Sequence, residues 1–97
     1  MDKIVESLVK KGYSKKDLIR LQSLLEKFDK IAVVGETNSG RDTLIENLND
    51  GEKRYIKVHH KTIEGAKIKL KEDGVAVDNI GFVHIQIVDN KPILGFD

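Results

Sequence analysis

Apolar residues recur at helical spacing in two short segments at the start of the chain. The first segment contains Ile4, Val5, Leu8 and Val9, and the second contains Leu18, Leu21, Leu25 and Phe28. Gly12 is suited to end the first helix. Ser14 is suited to cap the second, because Asp17 three residues later completes a pair that resembles a capping box. The pattern predicts helices over 2–11 and 15–28, joined by a tight turn.

The middle of the chain changes from a strand pattern to a helix pattern and back. The continuous apolar run Ile31-Ala32-Val33-Val34 is typical of a strand that is buried on both faces. A glycine-bounded loop over 35–40 follows, and helical spacing then predicts a helix over 43–48. A second strand is predicted over 55–58, ending at His59-His60. This order of elements predicts a βαβ unit.

The period changes again after residue 65. Strict alternation over Ala66-Lys67-Ile68-Lys69-Leu70-Lys71 favours a strand with one wet face. Glu72-Asp73-Gly74 has turn chemistry, from which Val75-Ala76-Val77 would return as the partner strand. The alternative interpretation makes Thr62 an N-cap and 63–71 a helix. We take the strand as the prediction.

The end of the chain has the pattern of a β-hairpin. Residues 82–88 alternate, Asp89-Asn90 suits a two-residue turn, and 93–96 would return as the second strand. Pro92 argues that this second strand lies at an edge of the sheet. The predicted fold class is therefore α/β, with α+β as the alternative.

The predicted elements form one domain over 1–97, because a chain of 97 residues leaves little room for two. It divides into a helical pair over 1–29, a βαβ unit over 30–61 and a β-rich part over 62–97 that ends in an antiparallel meander.

Composition narrows the function classes. Lys and Arg number 17 against 16 Asp and Glu, so the net charge of +1 gives no argument for nucleic acid or a membrane surface. The absence of cysteine excludes disulfides and thiolate metal sites. The N-terminus has no apolar signal region, and no apolar run approaches the roughly 20 residues that span a bilayer. We expect a cytoplasmic protein without membrane insertion.

The glycine loop carries the most specific chemistry. Gly35 and Gly40 have the separation found in the phosphate-binding pattern G-x-x-x-x-G-K-[ST], after a buried strand and before a helix. Glycines let such a loop wrap a phosphate with its backbone N–H groups, and the helix N-terminus adds favourable potential for an anion. A strand-to-helix turn without any ligand is the alternative interpretation.

The two positions after the loop depart from that pattern. Arg41 stands where the pattern has lysine, and a wide planar guanidinium is not equivalent to a compact ammonium. Asp42 replaces the hydroxyl residue that coordinates magnesium, and its carboxylate would repel phosphate oxygens. Thr43 comes one residue too late for that role. The candidate ligand-binding residues are Gly35, Glu36, Thr37, Asn38, Ser39, Gly40, Arg41, Asp42 and Thr43.

From about Glu6 to Glu64 the sequence resembles the nucleotide-binding core of the type II/IV secretion and pilus-assembly ATPases. The resemblance lies in the helical segment Leu8–Phe28, the strand and loop Val33–Gly40, the helix Thr43–Leu48 and the strand Gly51–Val58. It implies ATP binding, magnesium, hexameric assembly and a mechanical role in secretion or pilus extension. By position, it implies a phosphate cradle over Gly35–Arg41.

The chain departs from that family beyond the loop as well. His59-His60-Lys61 stands where the family has acidic residues, and its later histidine and arginine motifs have no room in this sequence. The chain is expected to be a fragment or a reduced domain. We expect a degenerate P-loop nucleotide- or phosphate-binding domain without hydrolysis, acting through contacts with other proteins. ATP is the candidate ligand, and magnesium is not expected. The alternatives are an active ATPase subunit and an interaction module with an empty loop.

Other candidate residues favour structural roles. Asp89 could end a magnesium-binding strand, but a hairpin turn is favoured, because His84 and Gln86 indicate a half-exposed strand and not a buried central one. His59 and His60 point to opposite faces of a strand, so no metal site is expected. Lys67, Lys69 and Lys71 are interpreted as a solvated strand edge. No catalytic residues are predicted.

Overall fold

Four α-helices and four β-strands form in the part of the chain that the computed structural model describes, residues 2–48 and 51–97. In chain order they are α1 (Asp2–Lys10), α2 (Lys15–Lys27), β1 (Lys30–Gly35), α3 (Arg41–Leu48), β2 (Tyr55–His59), α4 (Ile63–Glu72), β3 (Ile80–Val88) and β4 (Lys91–Phe96). A short 3-10 helix, Glu52–Arg54, precedes β2. The two predicted N-terminal helices and the predicted strand–helix–strand order are confirmed.

The four strands form one mixed sheet in the order β2-β1-β3-β4. Strand β1 is parallel to both of its neighbours, with Ile31 opposite Tyr55 on one side and Gly81 on the other. Strand β4 is antiparallel to β3 and lies at the edge, as Pro92 predicted. The α/β fold class is therefore confirmed, with an antiparallel hairpin added to a parallel core.

Helices cover both faces of the sheet. Ile31 and Val33 of β1 belong to a cluster with residues of α1, α2 and α3, whereas Ala32 and Val34 belong to a second cluster with residues of α4. These four β1 side chains are fully buried. The continuous apolar run is thus explained by burial on both faces, as the sequence predicted.

A glycine ends α1 as predicted. Gly12 has a left-handed φ of 102°. The Tyr13 N–H donates to the Leu8 carbonyl at 3.1 Å, and the Gly12 N–H donates to the Val9 carbonyl at 3.0 Å. These two bonds form a Schellman motif, which satisfies carbonyls that the helix end would leave unpaired.

Helix α2 is capped and tied to the distant end of the chain. The Ser14 hydroxyl accepts a hydrogen bond from the Asp17 N–H at 3.1 Å, so the predicted cap is present. The Asp17 carboxylate in turn accepts from the Leu94 N–H of β4 at 3.1 Å. One short segment therefore fixes both the start of α2 and its position against the sheet.

The predicted strand over 66–71 is wrong, and the alternative helix is present as α4. The Thr62 hydroxyl accepts from the Gly65 N–H at 3.0 Å and caps the helix. Helical geometry buries Ala66 and Leu70 but leaves Ile68 53% exposed, whereas a strand would place all three on one face. Alternation over six residues fits both periods, and the cap decides between them.

The partner strand predicted over 75–77 is also wrong. Gly74 adopts a left-handed φ of 83°, and the Val75 N–H donates to the Leu70 carbonyl at 2.9 Å, which closes the end of α4. Val75 and Val77 then pack, half-buried, against the cluster beneath α4. Among the described residues, no helix has the length and apolar character to cross a bilayer.

Candidate functional site

The glycine loop lies at the carboxyl edge of the parallel strands, where the chain changes direction. From β1 the chain crosses to β2 on one side, and it later returns through α4 to β3 on the other side. Such a switch point leaves a crevice between two neighbouring strands, and open α/β sheets bind their ligands there. Strand β3 continues four residues beyond its last pairing with β1, from Ile85 to Val88, and flanks the loop.

The loop backbone alternates in hand, because residues with a positive φ alternate with residues whose φ is not positive. Asn38 has φ 62° and Gly40 has φ 92°, whereas Ser39 between them and Arg41 after them are not left-handed. Alternation of this kind turns successive N–H groups toward one side and makes an anion-binding concavity. The Ser39 N–H itself is engaged, because it donates to the Glu36 carbonyl at 3.1 Å and closes a turn.

Gly35 is required by space. A Cβ atom at this position would lie 2.3 Å from the Ser39 hydroxyl and 2.9 Å from the Ile85 carbonyl oxygen. The loop therefore folds back closely over the end of β1. Ser39 is 8% exposed, and its hydroxyl is buried without a hydrogen-bond partner among the described residues. A buried hydroxyl of this kind normally has a partner, so it calls for an explanation.

The start of α3 has backbone donors without internal acceptors. The first hydrogen bond of the helix runs from the Leu44 N–H to the Gly40 carbonyl at 3.0 Å. No acceptor among the described residues takes the N–H groups of Gly40, Arg41, Asp42 or Thr43. These are the donors that a helix N-terminus offers to a bound anion.

The Asp42 carboxylate is committed elsewhere. It accepts a hydrogen bond from the Lys57 ammonium of β2 at 2.8 Å, and both side chains are largely exposed. This hydrogen bond, together with the positive charge of Lys57, holds the pKa of the Asp42 carboxyl below its usual range. The Asp42 carboxylate therefore lies against Lys57 of β2.

An open cleft of about 350 Å³ lies beside the loop. Four of the predicted residues line it, namely Glu36, Thr37, Asn38 and Ser39. Gly40, Arg41, Asp42 and Thr43 are not part of its wall. The structure therefore divides the predicted site into a lining segment and a helix start. The Thr37 hydroxyl is also 3.1 Å from the Nε2 atom of His59, at the end of β2.

The rest of the cleft wall comes from residues that the sequence did not assign to the site. Lys61 lies on the connection between β2 and α4, and the other four residues are consecutive in β3: His84, Ile85, Gln86 and Ile87. The His60 N–H donates to the Gly35 carbonyl at 3.3 Å and ties this connection to the end of β1. The signal that could have found Lys61 is its position just after a parallel strand, at the same edge as the glycine loop.

The histidine pair divides, as the sequence predicted, into two different environments. His59 contacts Thr37, whereas the His60 ring lies against Gly65 of α4, and its Nδ1 atom accepts from the Lys61 N–H at 3.0 Å. Within residues 2–48 and 51–97, no group of three or more His, Asp or Glu side chains is arranged to hold a metal ion.

The hairpin interpretation of Asp89-Asn90 is confirmed. Both residues have positive φ values, 51° and 64°, and Val88 pairs with Lys91 across the turn, the geometry of a two-residue hairpin. One part of the prediction was wrong, because β3 is an inner strand of the sheet. Its first half is buried and its last three residues are exposed, so it combines both environments along its length.

The lysine row lies on a helix and not on a strand. Lys67 pairs with the Asp97 carboxylate and lies 5.3 Å from the centre of the Phe82 ring. Lys69 and Lys71 are exposed in the last turn of α4, where positive charge is favourable.

No protein-family model matches the chain, and no curated protein or solved structure matches it either. The protein is therefore defined by its own geometry as a mixed α/β domain with an open cleft at a switch point. Its resemblance to the secretion ATPases stays a prediction that rests on the residues quoted above.

Proposed function

We propose that this protein binds a phosphate group in the cleft beside its glycine loop and does not hydrolyse nucleotides. The observation that carries the proposal is the alternating hand of residues 38–41 at the start of α3, where the N–H groups of residues 40–43 have no acceptor among the described residues. Backbone donors that converge at a helix N-terminus stabilise an anion without any lysine. ATP is the leading nucleotide ligand, on the strength of the resemblance.

The absence of hydrolysis follows from the two altered positions. Asp42 presents a carboxylate where the motif has a magnesium-binding hydroxyl, and that carboxylate is paired with Lys57. Rate acceleration in phosphoryl transfer depends on positioned cations that neutralise charge developing on the phosphate. A loop that binds phosphate without these parts would work as a ligand sensor or a structural clamp in a larger assembly.

Titration of the ¹⁵N-labelled chain tests the proposal. Inorganic phosphate and ATP, each with and without magnesium at constant ionic strength, should shift the amide signals of residues 38–43. Sodium chloride at matched ionic strength serves as the control for general screening. The absence of shifts at millimolar phosphate or ATP would rule out the proposal in favour of an empty turn. Release of phosphate from ATP above that of a control without protein would replace it with an active ATPase.

Protein binding is a second candidate function, and a groove of about 510 Å³ favours it. The groove runs between α2 and the end of β4, with Leu24, Phe28 and Phe96 in its wall and Ile19 65% exposed at its side. Ile19 lines the same groove as the three apolar residues of its wall, and a contiguous exposed apolar patch is typical of an interaction surface. We propose self-association through this groove. Sedimentation velocity should show oligomers that an Ile19→Asp variant disperses, and a concentration-independent monomer would contradict it.

A further inference from the structure

We propose that Lys61, and not Arg41, supplies the positive side chain for the phosphate group in this cleft. The inference rests on the proposed function and names a binding residue that the motif does not contain. In the phosphate-binding pattern, the cation follows the second glycine directly. Here that position is Arg41, in the first turn of α3, and its side chain does not line the cleft.

Lys61 belongs to the connection between β2 and α4 and lines the same cleft as the loop segment Glu36–Ser39. Its backbone is held in place, because the Nδ1 atom of His60 accepts its N–H at 3.0 Å and that of Thr62 at 3.4 Å. No carboxylate of the described residues lies within ion-pair distance of the Lys61 ammonium. A lysine that is anchored at its backbone and uncommitted at its tip can turn toward a ligand.

A second observation points independently to a ligand at this position. The hydroxyl of Ser39, which belongs to the cleft wall, is more than nine-tenths buried and has no hydrogen-bond partner among the described residues. Rotation of the Ser39 side chain away from Gly35 and toward the cleft would let this hydroxyl donate to a phosphate oxygen. The same ligand would therefore satisfy Ser39 and the ammonium of Lys61, and the free amides at the start of α3 follow Ser39 directly along the chain.

The charges of the cleft also indicate how the phosphate is bound. Glu36 carries a negative charge in the same wall, so it opposes an anion that Lys61 attracts. Asp42, which stands at the magnesium position of the motif, is engaged by Lys57. Because Lys57 engages the carboxylate at the magnesium position, we expect a phosphate group, free or as a monoester, to bind without a divalent cation.

The test compares three conservative variants of exposed or half-exposed residues in the full chain. Amide signals of residues 38–43 are followed during titration with inorganic phosphate, and separately with AMP, in metal-free buffer at low ionic strength. Lys61→Gln should weaken phosphate binding roughly five- to tenfold, as expected for one lost charge-assisted contact. Arg41→Gln should change the dissociation constant by less than about twofold, and Glu36→Gln should tighten binding by about twofold or more.

The outcomes separate this inference from the proposed function. If wild type binds phosphate but Arg41→Gln weakens it more than Lys61→Gln does, the role of Lys61 is overturned and the phosphate site stands. If wild type shows no shifts with either ligand, the proposed function fails and the role of Lys61 fails with it. A requirement for magnesium would overturn the metal-free mode of binding. Tighter binding of AMP than of inorganic phosphate identifies the ligand as a nucleotide, and equal binding identifies the phosphate alone.

Discussion

Two helices of this protein begin at the same edge of the sheet, each after a parallel strand, and they begin differently. At α4, the Thr62 side chain accepts the Gly65 N–H at 3.0 Å, so the helix start is closed by its own sequence. At α3, the corresponding place is taken by Gly40, which has no side chain, and the first amides have no acceptor among the described residues. Both starts are compatible with a stable helix.

The presence or absence of a capping side chain distinguishes a helix start that is closed by its own sequence from one whose amides are available to a ligand. A capping hydroxyl uses the same amide donors that an anion would use, so a capped helix cannot offer all of them to a ligand. The chain uses a side-chain cap at α2 and at α4 but a glycine at α3. The starts of α3, after Ser39, and of α4, after Lys61, both border the cleft of the switch point, and of these two only α3 lacks a capping side chain.

The largest expected effect comes from filling the space beneath the loop of α3. Gly35→Ala would place a methyl group against the Ser39 hydroxyl and the Ile85 carbonyl, so we expect a loss of about 3 kcal/mol in the free energy of unfolding. Denaturant unfolding measures it. Gly95→Ala is the matched control, because its nearest new contact is an ordinary 3.7 Å from His84. Equal stability of the two variants would show that the loop does not lie so close to β1.

A smaller loss is expected from Gly40→Ala. The added methyl group finds room, at 3.5 Å from Ile85, but the φ of 92° disfavours any side chain. The cost should be about 1–2 kcal/mol, and phosphate affinity should fall with it. Asn38→Gly, at the other left-handed residue of the loop, should keep its stability. If Gly40→Ala bound phosphate like wild type, the alternating hand of the loop would not matter for binding.

Removing the side-chain cap of α4 should lower the free energy of unfolding by less than either glycine substitution does. Thr62→Ala removes the cap and should lower the free energy of unfolding by about 1 kcal/mol, whereas Thr62→Ser should retain it. Thermal unfolding with and without phosphate sharpens the comparison. Because the site belongs to α3, phosphate should stabilise wild type and Thr62→Ala by the same amount. Full recovery of Thr62→Ala in phosphate would show that any uncapped helix start here binds the anion.

The smallest effect concerns the ion pair at the start of α3. Lys57→Gln should raise the pKa of Asp42 toward its ordinary value, since the hydrogen bond from Lys57 is the main cause of the lowering. With a lowered folded-state pKa, the pair adds stability above the ordinary carboxyl pKa and loses it as the pH falls through the folded value. Both groups are exposed, so NMR of the Asp42 carboxyl carbon should detect the change where unfolding does not. Lys69→Gln should leave it unchanged.

Local chemistry explains which parts of the fold were predictable. The sequence predicted the correct ends for the first two helices, because Gly12 and Ser14 act on residues close to them in sequence. It also predicted β1, because the run Ile31–Val34 is buried on both faces of the sheet. The segment 63–72 was ambiguous, because alternating apolar residues in so short a stretch suit either period. The Thr62 cap decided the outcome, and the resulting helix leaves Ile68 exposed.

Only the glycine-loop part of the candidate site was predictable from the sequence. The glycine loop is contiguous, so Glu36–Ser39 could be recognised from spacing alone. Lys61 and the outer half of β3 join the cleft because of the strand order and because β3 extends beyond β1. Those are properties of the assembled sheet, which no local pattern specifies.

The contact between Asp17 and the backbone of Leu94 has a consequence for how copies of this protein behave in a crowded solution. N–H groups of alternate residues along β4 face away from the sheet. Pro92 has no such group, and that of Leu94 is already bound by Asp17. A strand from a neighbouring molecule would find two successive donors missing along this rim. The hairpin therefore resists templating fibril growth, even though Ile93 on the same strand is 40% exposed.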